Sequence, residues 1–135
     1  MQRNHNYKRL LAWKTSPIRK PLIIFGARQI GKTYSVLDFG EHEYQNMVYC
    51  NFESDATLAA LFKSDLDPRR IVKAIGMLKN VQIAEGSTLL FFDEIQACEE
   101  ALASLKYFNE QANGYHVIAA GSLLGLALNR GAYSF

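Results

Sequence analysis

The feature that most constrains this chain is the stretch GARQIGKT at residues 26–33, which fits the pattern G-x-x-x-x-G-K-[ST]. An apolar run at residues 22–25 precedes it, and a helix-like run at residues 33–39 follows it. Strand, glycine loop and helix in this order form the context in which the pattern binds polyphosphates. Glycines allow the tight turn that brings backbone N–H groups close to an anion, and the helix N-terminus adds its positive dipole. The stretch therefore predicts a nucleoside triphosphate site.

The residues of this glycine loop have separate expected roles. Lys32 is expected to reach the β- and γ-phosphates and so to assist catalysis, and the Thr33 hydroxyl is expected to ligate Mg²⁺. The alternative is a chance glycine turn before an amphipathic helix, but a second matching motif downstream argues against it. The expected nucleotide-binding residues are Gly26, Ala27, Arg28, Gln29, Ile30, Gly31, Lys32, Thr33 and Tyr34.

The second motif is TLLFFDE at residues 88–94, an apolar run that ends in two adjacent carboxylates. Phosphate-loop proteins hold Mg²⁺ near an aspartate that closes such a strand, so Asp93 is the second expected metal residue beside Thr33. Glu94 is the expected catalytic carboxylate, which would orient and polarise the attacking water. Acids often end strands for structural reasons alone. The spacing of about 60 residues from the glycine loop favours the chemical interpretation.

Two further polar residues end predicted strands. Ser122 is a candidate catalytic residue, because its hydroxyl could bond the γ-phosphate or the attacking water. A role as N-cap of a helix at residues 123–128 is equally open, and one serine can serve both. Glu53 ends the second predicted strand, where a rim carboxylate is favoured over a metal ligand.

Strand-like and helix-like runs alternate along the chain, which predicts a parallel sheet in an α/β fold. The expected architecture is the three-layer αβα sandwich of a P-loop NTPase, with a basic N-terminal helix and linker at residues 1–20 and the core domain at residues 21–135. The predicted strands are 22–25, 47–53, 88–94 and 115–120. Five helices are predicted before residue 113. Three have stated ranges: 5–14, 32–39 with Gly40 as its stop, and 99–112. Of the other two, one is capped by Ser54 or Asp55, and one begins at Asp67-Pro68 and has its inward-facing residues at Ile71, Val72, Ile75 and Leu78.

The net charge of +2 is unevenly distributed, because residues 1–20 contain six basic residues and no acid, which leaves −4 for residues 21–135. A basic arm would suit contact with nucleic acid, but a solvated helix is the favoured interpretation, since no sequence-reading nucleic-acid module is recognisable. No apolar run approaches the roughly 20 residues of a membrane span, so no membrane partner is expected. Cys50 and Cys98 lack zinc or disulfide-framework spacing and indicate reduced thiols in a cytoplasmic protein.

Three stretches together resemble the prokaryotic AAA-type ATPase domain often called the AAA_14 domain: residues 26–33, 89–96 and 119–125. The likeness extends from about residue 7 to residue 135. It implies phosphate-loop roles for Lys32 and Thr33, metal and catalytic roles for Asp93 and Glu94, and the sensor-one position for Ser122. It also implies ATP and Mg²⁺ as cofactors, and a sheet in which strand four lies between strands one and three.

Members of that family usually continue into a further strand and a C-terminal domain, whereas this sequence ends at Phe135. The resemblance therefore implies an incomplete core that lacks its last strand and lid. The expected function is ATP binding with Mg²⁺ and hydrolysis to ADP and phosphate, weak in this chain, with possible self-association. The alternative is a nucleotide-binding switch or interaction module with little or no turnover.

Overall fold

Four parallel strands form the centre of the molecule. The computed structural model describes residues 3–26 and 30–122, without the side chains of residues 3–5 and 30–32. The strands pair in the order β1-β4-β3-β2, which confirms the expected place of strand four between strands one and three. Their bounds are Leu22–Gly26 for β1, Asn46–Asn51 for β2, Thr88–Asp93 for β3 and His116–Ser122 for β4.

Helices cover both faces of this sheet, which confirms the α/β sandwich. Side chains alternate along each strand, so Leu89 and Phe91 pack with α1 and α2, whereas Leu90 and Phe92 pack with the other three helices. The helices are α1 Arg3–Thr15, α2 Ile30–Glu43, α3 Ala56–Ala60, α4 Pro68–Lys79 and α5 Glu99–Gln111, with a short 3-10 turn at Ile95–Ala97. Among the helices of the described ranges, none combines the length and apolar character needed to cross a membrane.

The position of a strand in the sheet decides how deeply it is buried. Every residue of β3 is buried, because β3 has a strand on each side and helices on both faces. All five residues of β1 are half-buried, although helices cover both of its faces too. The reason is that β1 has β4 on one side and, within the described ranges, no strand on the other.

The two predicted helix starts after β2 are confirmed. The Asp55 carboxylate accepts a hydrogen bond from the Leu58 N–H at the start of α3, and Asp67 accepts from the Arg69 N–H at the start of α4. Pro68 occupies the first position of α4, where its missing N–H leaves no bond unmade. These are local interactions within three residues, which is why the sequence could predict them.

Two helix predictions were wrong in detail. Gly40 does not stop α2; it is buried inside that helix, and an added Cβ would lie 2.3 Å from Met47 Sδ. The glycine there permits close packing on the sheet instead of a left-handed turn. Leu78 is 41% exposed and does not face the core. At that end of α4 the core is reached by Val81 and Ile83, because the chain turns back at Asn80, which has a φ of 55°.

The N-terminal helix packs against the sheet and α2. Leu10 is buried against the α2 side of the sheet, and the Trp13 indole N–H donates to the Lys20 carbonyl at 2.6 Å. The linker after α1 is held by a second contact, in which the Asn113 side-chain amide, in the turn before β4, donates to the Arg19 carbonyl at 2.8 Å. The helix and the linker are therefore held in place at several points between Leu10 and Lys20.

Candidate functional site

The carboxyl ends of all four strands lie at the same end of the sheet. Gly26 of β1 is in register with Ser122 of β4, and Asn51 of β2 is in register with Asp93 of β3. In open parallel sheets, ligands bind in the crevice outside the carboxyl ends of the strands. Gly26, Asp93 and Ser122 therefore lie at the end of the sheet at which this architecture binds ligands.

The two predicted metal residues are adjacent in space. The Thr33 hydroxyl donates a hydrogen bond to Asp93 Oδ2 at 3.3 Å, although the two residues are 60 positions apart. Thr33 lies in the first turns of α2, and Asp93 is the last residue of β3 and only 5% exposed. A hydroxyl and a carboxylate are oxygen donors of the kind that Mg²⁺ binds. The pair fits the expected metal site.

The buried Asp93 carboxylate has two further donors. The Tyr49 hydroxyl donates to Oδ2 at 2.7 Å, and the Glu94 backbone N–H donates to Oδ1 at 2.9 Å. The Asn51 side-chain amide in turn donates to the Tyr49 oxygen at 3.2 Å. Burial, together with the bond to Asp93, raises the pKa of Tyr49 to about 12. The tyrosine therefore stays neutral and keeps donating at any ordinary pH.

Sequence reasoning missed Tyr49. It lies inside β2, in register with Phe91, so it is a diagonal same-face neighbour of Asp93 two residues further along β3. The only signal in the sequence is a tyrosine two residues before the end of a strand. That signal acquires meaning once the register between β2 and β3 is known.

Glu94 leaves the strand in an unusual conformation. Its φ of 51° and ψ of 46° lie in the left-handed region, which is uncommon for residues other than glycine and marks stored backbone strain. The predicted strand 88–94 therefore ends one residue early, at Asp93. The half-buried Glu94 carboxylate accepts from Gln96 Nε2 at 2.8 Å, and Gln96 Oε1 accepts from the Ser122 N–H at 3.3 Å. Sequence reasoning did not single out Gln96.

The structure describes some of the remaining predicted site residues and leaves others outside the described ranges. Ser122 is the last residue of β4 and is half-buried, and the helix at residues 123–128 that it was expected to cap lies outside the described residues. Tyr34 is 66% exposed. Glu53 is exposed in the turn after β2. Ala27, Arg28 and Gln29 lie outside the described residues, as do the side chains of Ile30 and Lys32, whose backbones belong with Gly31 to the first turn of α2.

Within the described ranges, no group of three or more histidine, cysteine, aspartate or glutamate side chains could hold a metal ion. A Mg²⁺ ion at a nucleotide needs no such cage, because it keeps several waters and binds phosphate oxygens beside one or two protein ligands. The Thr33 and Asp93 pair therefore fits Mg²⁺ bound together with a nucleotide better than a stand-alone metal centre.

Comparison with known proteins connects this geometry to a family. The model of the family described as AAA domain matches residues 18–135, which include the glycine loop, β3 with its carboxylates and all of β4. A search of the curated proteins found no match. The match agrees with the parallel sheet, the helices on both faces and the phosphate-loop pattern at its carboxyl edge, and it supports a P-loop nucleotide-binding domain. The chain belongs to the AAA domain family.

Proposed function

We propose that this domain binds ATP with Mg²⁺ at residues 26–33 and hydrolyses it to ADP and phosphate. The observation that carries the proposal is the 3.3 Å contact between the Thr33 hydroxyl and Asp93 Oδ2. Two motifs far apart in the sequence supply these oxygens at one point, beside the N-terminus of α2. A helix N-terminus attracts phosphate through its free N–H groups and its dipole.

Each residue of the site has a separate role in this proposal. Lys32 would pair with the β- and γ-phosphates, and Mg²⁺ when bound would neutralise charge on the same groups. Glu94 would orient the attacking water and accept its proton, which a carboxylate near the γ-phosphate can do. Ser122 would bond the γ-phosphate or that water from the end of the neighbouring strand. Catalysis of this kind rests on positioning and charge stabilisation, without a covalent intermediate.

The proposal is tested by removing the lysine. Lys32→Ala is expected to lower ATP affinity at least tenfold, equivalent to about 1.4 kcal/mol or more, because the motif loses its phosphate-directed cation. Isothermal titration with ATP and Mg²⁺ measures the dissociation constant. Lys106→Ala removes the same charge from the exposed side of α5 and serves as the matched control. A wild-type dissociation constant for Lys32→Ala would show that this loop is not the nucleotide site.

Phosphate release by the wild-type chain also distinguishes an ATPase from a nucleotide-binding switch or interaction module. Phosphate release by the wild-type chain supports hydrolysis. Tight ATP binding without release would instead indicate a nucleotide-binding switch or interaction module, in which the bound nucleotide stabilises one conformation.

A further inference from the structure

One buried glutamine connects two strand ends at the candidate site. Gln96 Nε2 donates to Glu94 Oε1 at 2.8 Å, and Gln96 Oε1 accepts from the Ser122 backbone N–H at 3.3 Å. Glu94 follows β3, and Ser122 ends β4. The bridge therefore joins the segments that carry the expected catalytic carboxylate and the expected γ-phosphate contact.

The chemistry of the bridge determines which way the Gln96 amide faces. A backbone N–H can only donate, so the amide oxygen must lie toward Ser122. The amide nitrogen then lies toward Glu94, and it can only donate, so it needs the carboxylate oxygen as acceptor. Glutamate at position 96 would keep the contact to Ser122 but would place an oxygen against the Glu94 oxygen.

The packing around the bridge leaves room for this side chain in particular. Gly121 is buried in β4, and a Cβ added there would lie 2.5 Å from Gln96 Oε1 and 2.8 Å from Phe25 Cε1. Gln96 belongs to the 3-10 turn that begins directly after the left-handed Glu94. The absent Cβ at position 121 and the turn after β3 together let the glutamine reach from one strand to the next.

We propose that Gln96 is a positioning residue for Glu94. It ties the carboxylate to the backbone at the end of β4, so that Glu94 and Ser122 keep a constant separation around the γ-phosphate. This inference rests on the proposed ATP hydrolysis. A catalytic side chain must be held within about 0.5 Å of its productive position, and neighbouring hydrogen bonds provide that restraint. In this role Gln96 acts through Glu94, to which it donates, and not as a catalytic residue itself.

The test compares two substitutions in the full chain. Gln96→Glu keeps the shape and the Ser122 contact but loses the donor to Glu94, and Gln96→Met removes both contacts at similar size. For each we expect kcat to fall at least about tenfold, while KM and the ATP dissociation constant stay within about twofold. Gln45→Glu makes the same change of charge at an exposed position and should leave kcat unchanged. An unchanged kcat in Gln96→Glu, in a wild-type protein that does hydrolyse ATP, would overturn the inference.

Two further measurements separate this role from a merely structural one. In a Glu94→Asp background, which keeps a carboxylate base and so a residual turnover but shortens its reach, Gln96→Glu should cause much less than its full additional loss of turnover, because the two residues act as one unit. Additive losses would contradict the proposal. Thermal unfolding identifies a variant that fails to fold, in which case the near-isosteric Gln96→Glu decides the question.

The bridge can also be tested without turnover. Hydrogen exchange at the Ser122 amide should accelerate in Gln96→Met, and also in Glu94→Ala, because the glutamine then loses its second anchor. Unchanged exchange in both variants would overturn the inference, whether or not the chain hydrolyses ATP. A wild-type chain without phosphate release would overturn the proposed hydrolysis and with it the catalytic purpose of the bridge, whereas the exchange result shows separately whether the bridge itself holds Ser122, so the two failures are distinguishable.

Discussion

At the scale of single residues, Asp93 and Glu94 adjoin in the sequence but have different surroundings. Asp93 is buried and accepts from the Thr33 hydroxyl, the Tyr49 hydroxyl and a backbone N–H. Glu94 is half-buried and is bonded to Gln96, beyond the end of β3. A carboxylate held by three donors suits a fixed role beside a cation. The second carboxylate, outside the strand, suits contact with a water molecule.

We therefore expect substitutions at these two positions to separate binding from hydrolysis. Asp93→Ala should weaken Mg²⁺-dependent ATP binding and lower the free energy of unfolding by about 1–3 kcal/mol, since buried donors lose their acceptor. Glu94→Gln should bind ATP normally but lose hydrolysis, because an amide cannot act as a base. Titration with and without Mg²⁺, and phosphate release, measure the two effects. Glu53→Gln, at the exposed turn, is the control. Equal loss of binding at positions 93 and 94 would contradict the assignment.

At the scale of elements, α1, α2 and β4 are joined at the opposite end of the sheet. His116 begins β4, and its Nδ1 lies 2.6 Å from the hydroxyl of Tyr44, which directly follows α2. The Trp13 ring of α1 packs edge-on against the imidazole at 5.8 Å. Burial, helped by the positive charges of Arg19 and Lys14, lowers the pKa of His116 to about 4. The neutral imidazole and the Tyr44 hydroxyl share this hydrogen bond, and the junction holds the N-terminal helix on the sheet.

This junction predicts a loss of stability in mild acid. The unfolded chain binds a proton at His116 below about pH 6.5, and the folded chain does so only near pH 4. The unfolded state therefore binds more protons between these values, so the free energy of unfolding falls as the pH falls, by at most about 3 kcal/mol. Below about pH 4 both states bind the proton, and the stability that the neutral His116 contributes at pH 7 is fully lost. Urea unfolding at pH 7, 5.5 and 4 measures the slope.

The control for this prediction is a residue that can make the same hydrogen bond but does not titrate. His116→Asn keeps an amide that can donate or accept near the position of Nδ1, so its stability should decline less between pH 6.5 and 4 than that of the wild type. Identical slopes for wild type and His116→Asn would contradict this account of the junction.

At the scale of the whole molecule, the edge of the sheet at β1 predicts association. Residues 22–25 contain no charge or proline that would guard the edge, and no strand covers it within the described ranges. The exposed edge therefore predicts self-association.

A second expectation concerns the rate of hydrolysis. AAA-type sites commonly receive an arginine from a neighbouring subunit, and such a residue can contribute about 10³–10⁵ in rate. The candidates here, Arg28 and Arg130, lie outside the described residues. We expect the chain to bind ATP, to hydrolyse it slowly and to self-associate.

Phosphate release and light scattering over a dilution series test this expectation together. Turnover well below about one per second, from a species whose mass rises with concentration, would support it. A monodisperse monomer that turns over about once per second or faster would show that neither association nor a second subunit is needed for catalysis.

The sequence by itself determined the features that depend on neighbouring residues. The caps at Asp55 and Asp67 act within a single turn, and the continuous apolar run before Asp93 indicates a buried strand. The alternation of strands and helices was enough for the α/β class, and the glycine-loop pattern was enough to indicate a P-loop nucleotide-binding domain. The order of the strands came from the family resemblance, since no local pattern encodes it.

The tertiary structure alone decided which distant groups meet. The contact of Tyr49 with Asp93 depends on the register between β2 and β3, and the Gln96 bridge depends on how the turn after β3 packs against β4. Gly40 looked like a helix stop because its packing against Met47 is invisible along the chain. Periodicity reports which face of an element is apolar. It does not report which residue of another element lies opposite, because that is decided when segments far apart in sequence compete for the same space.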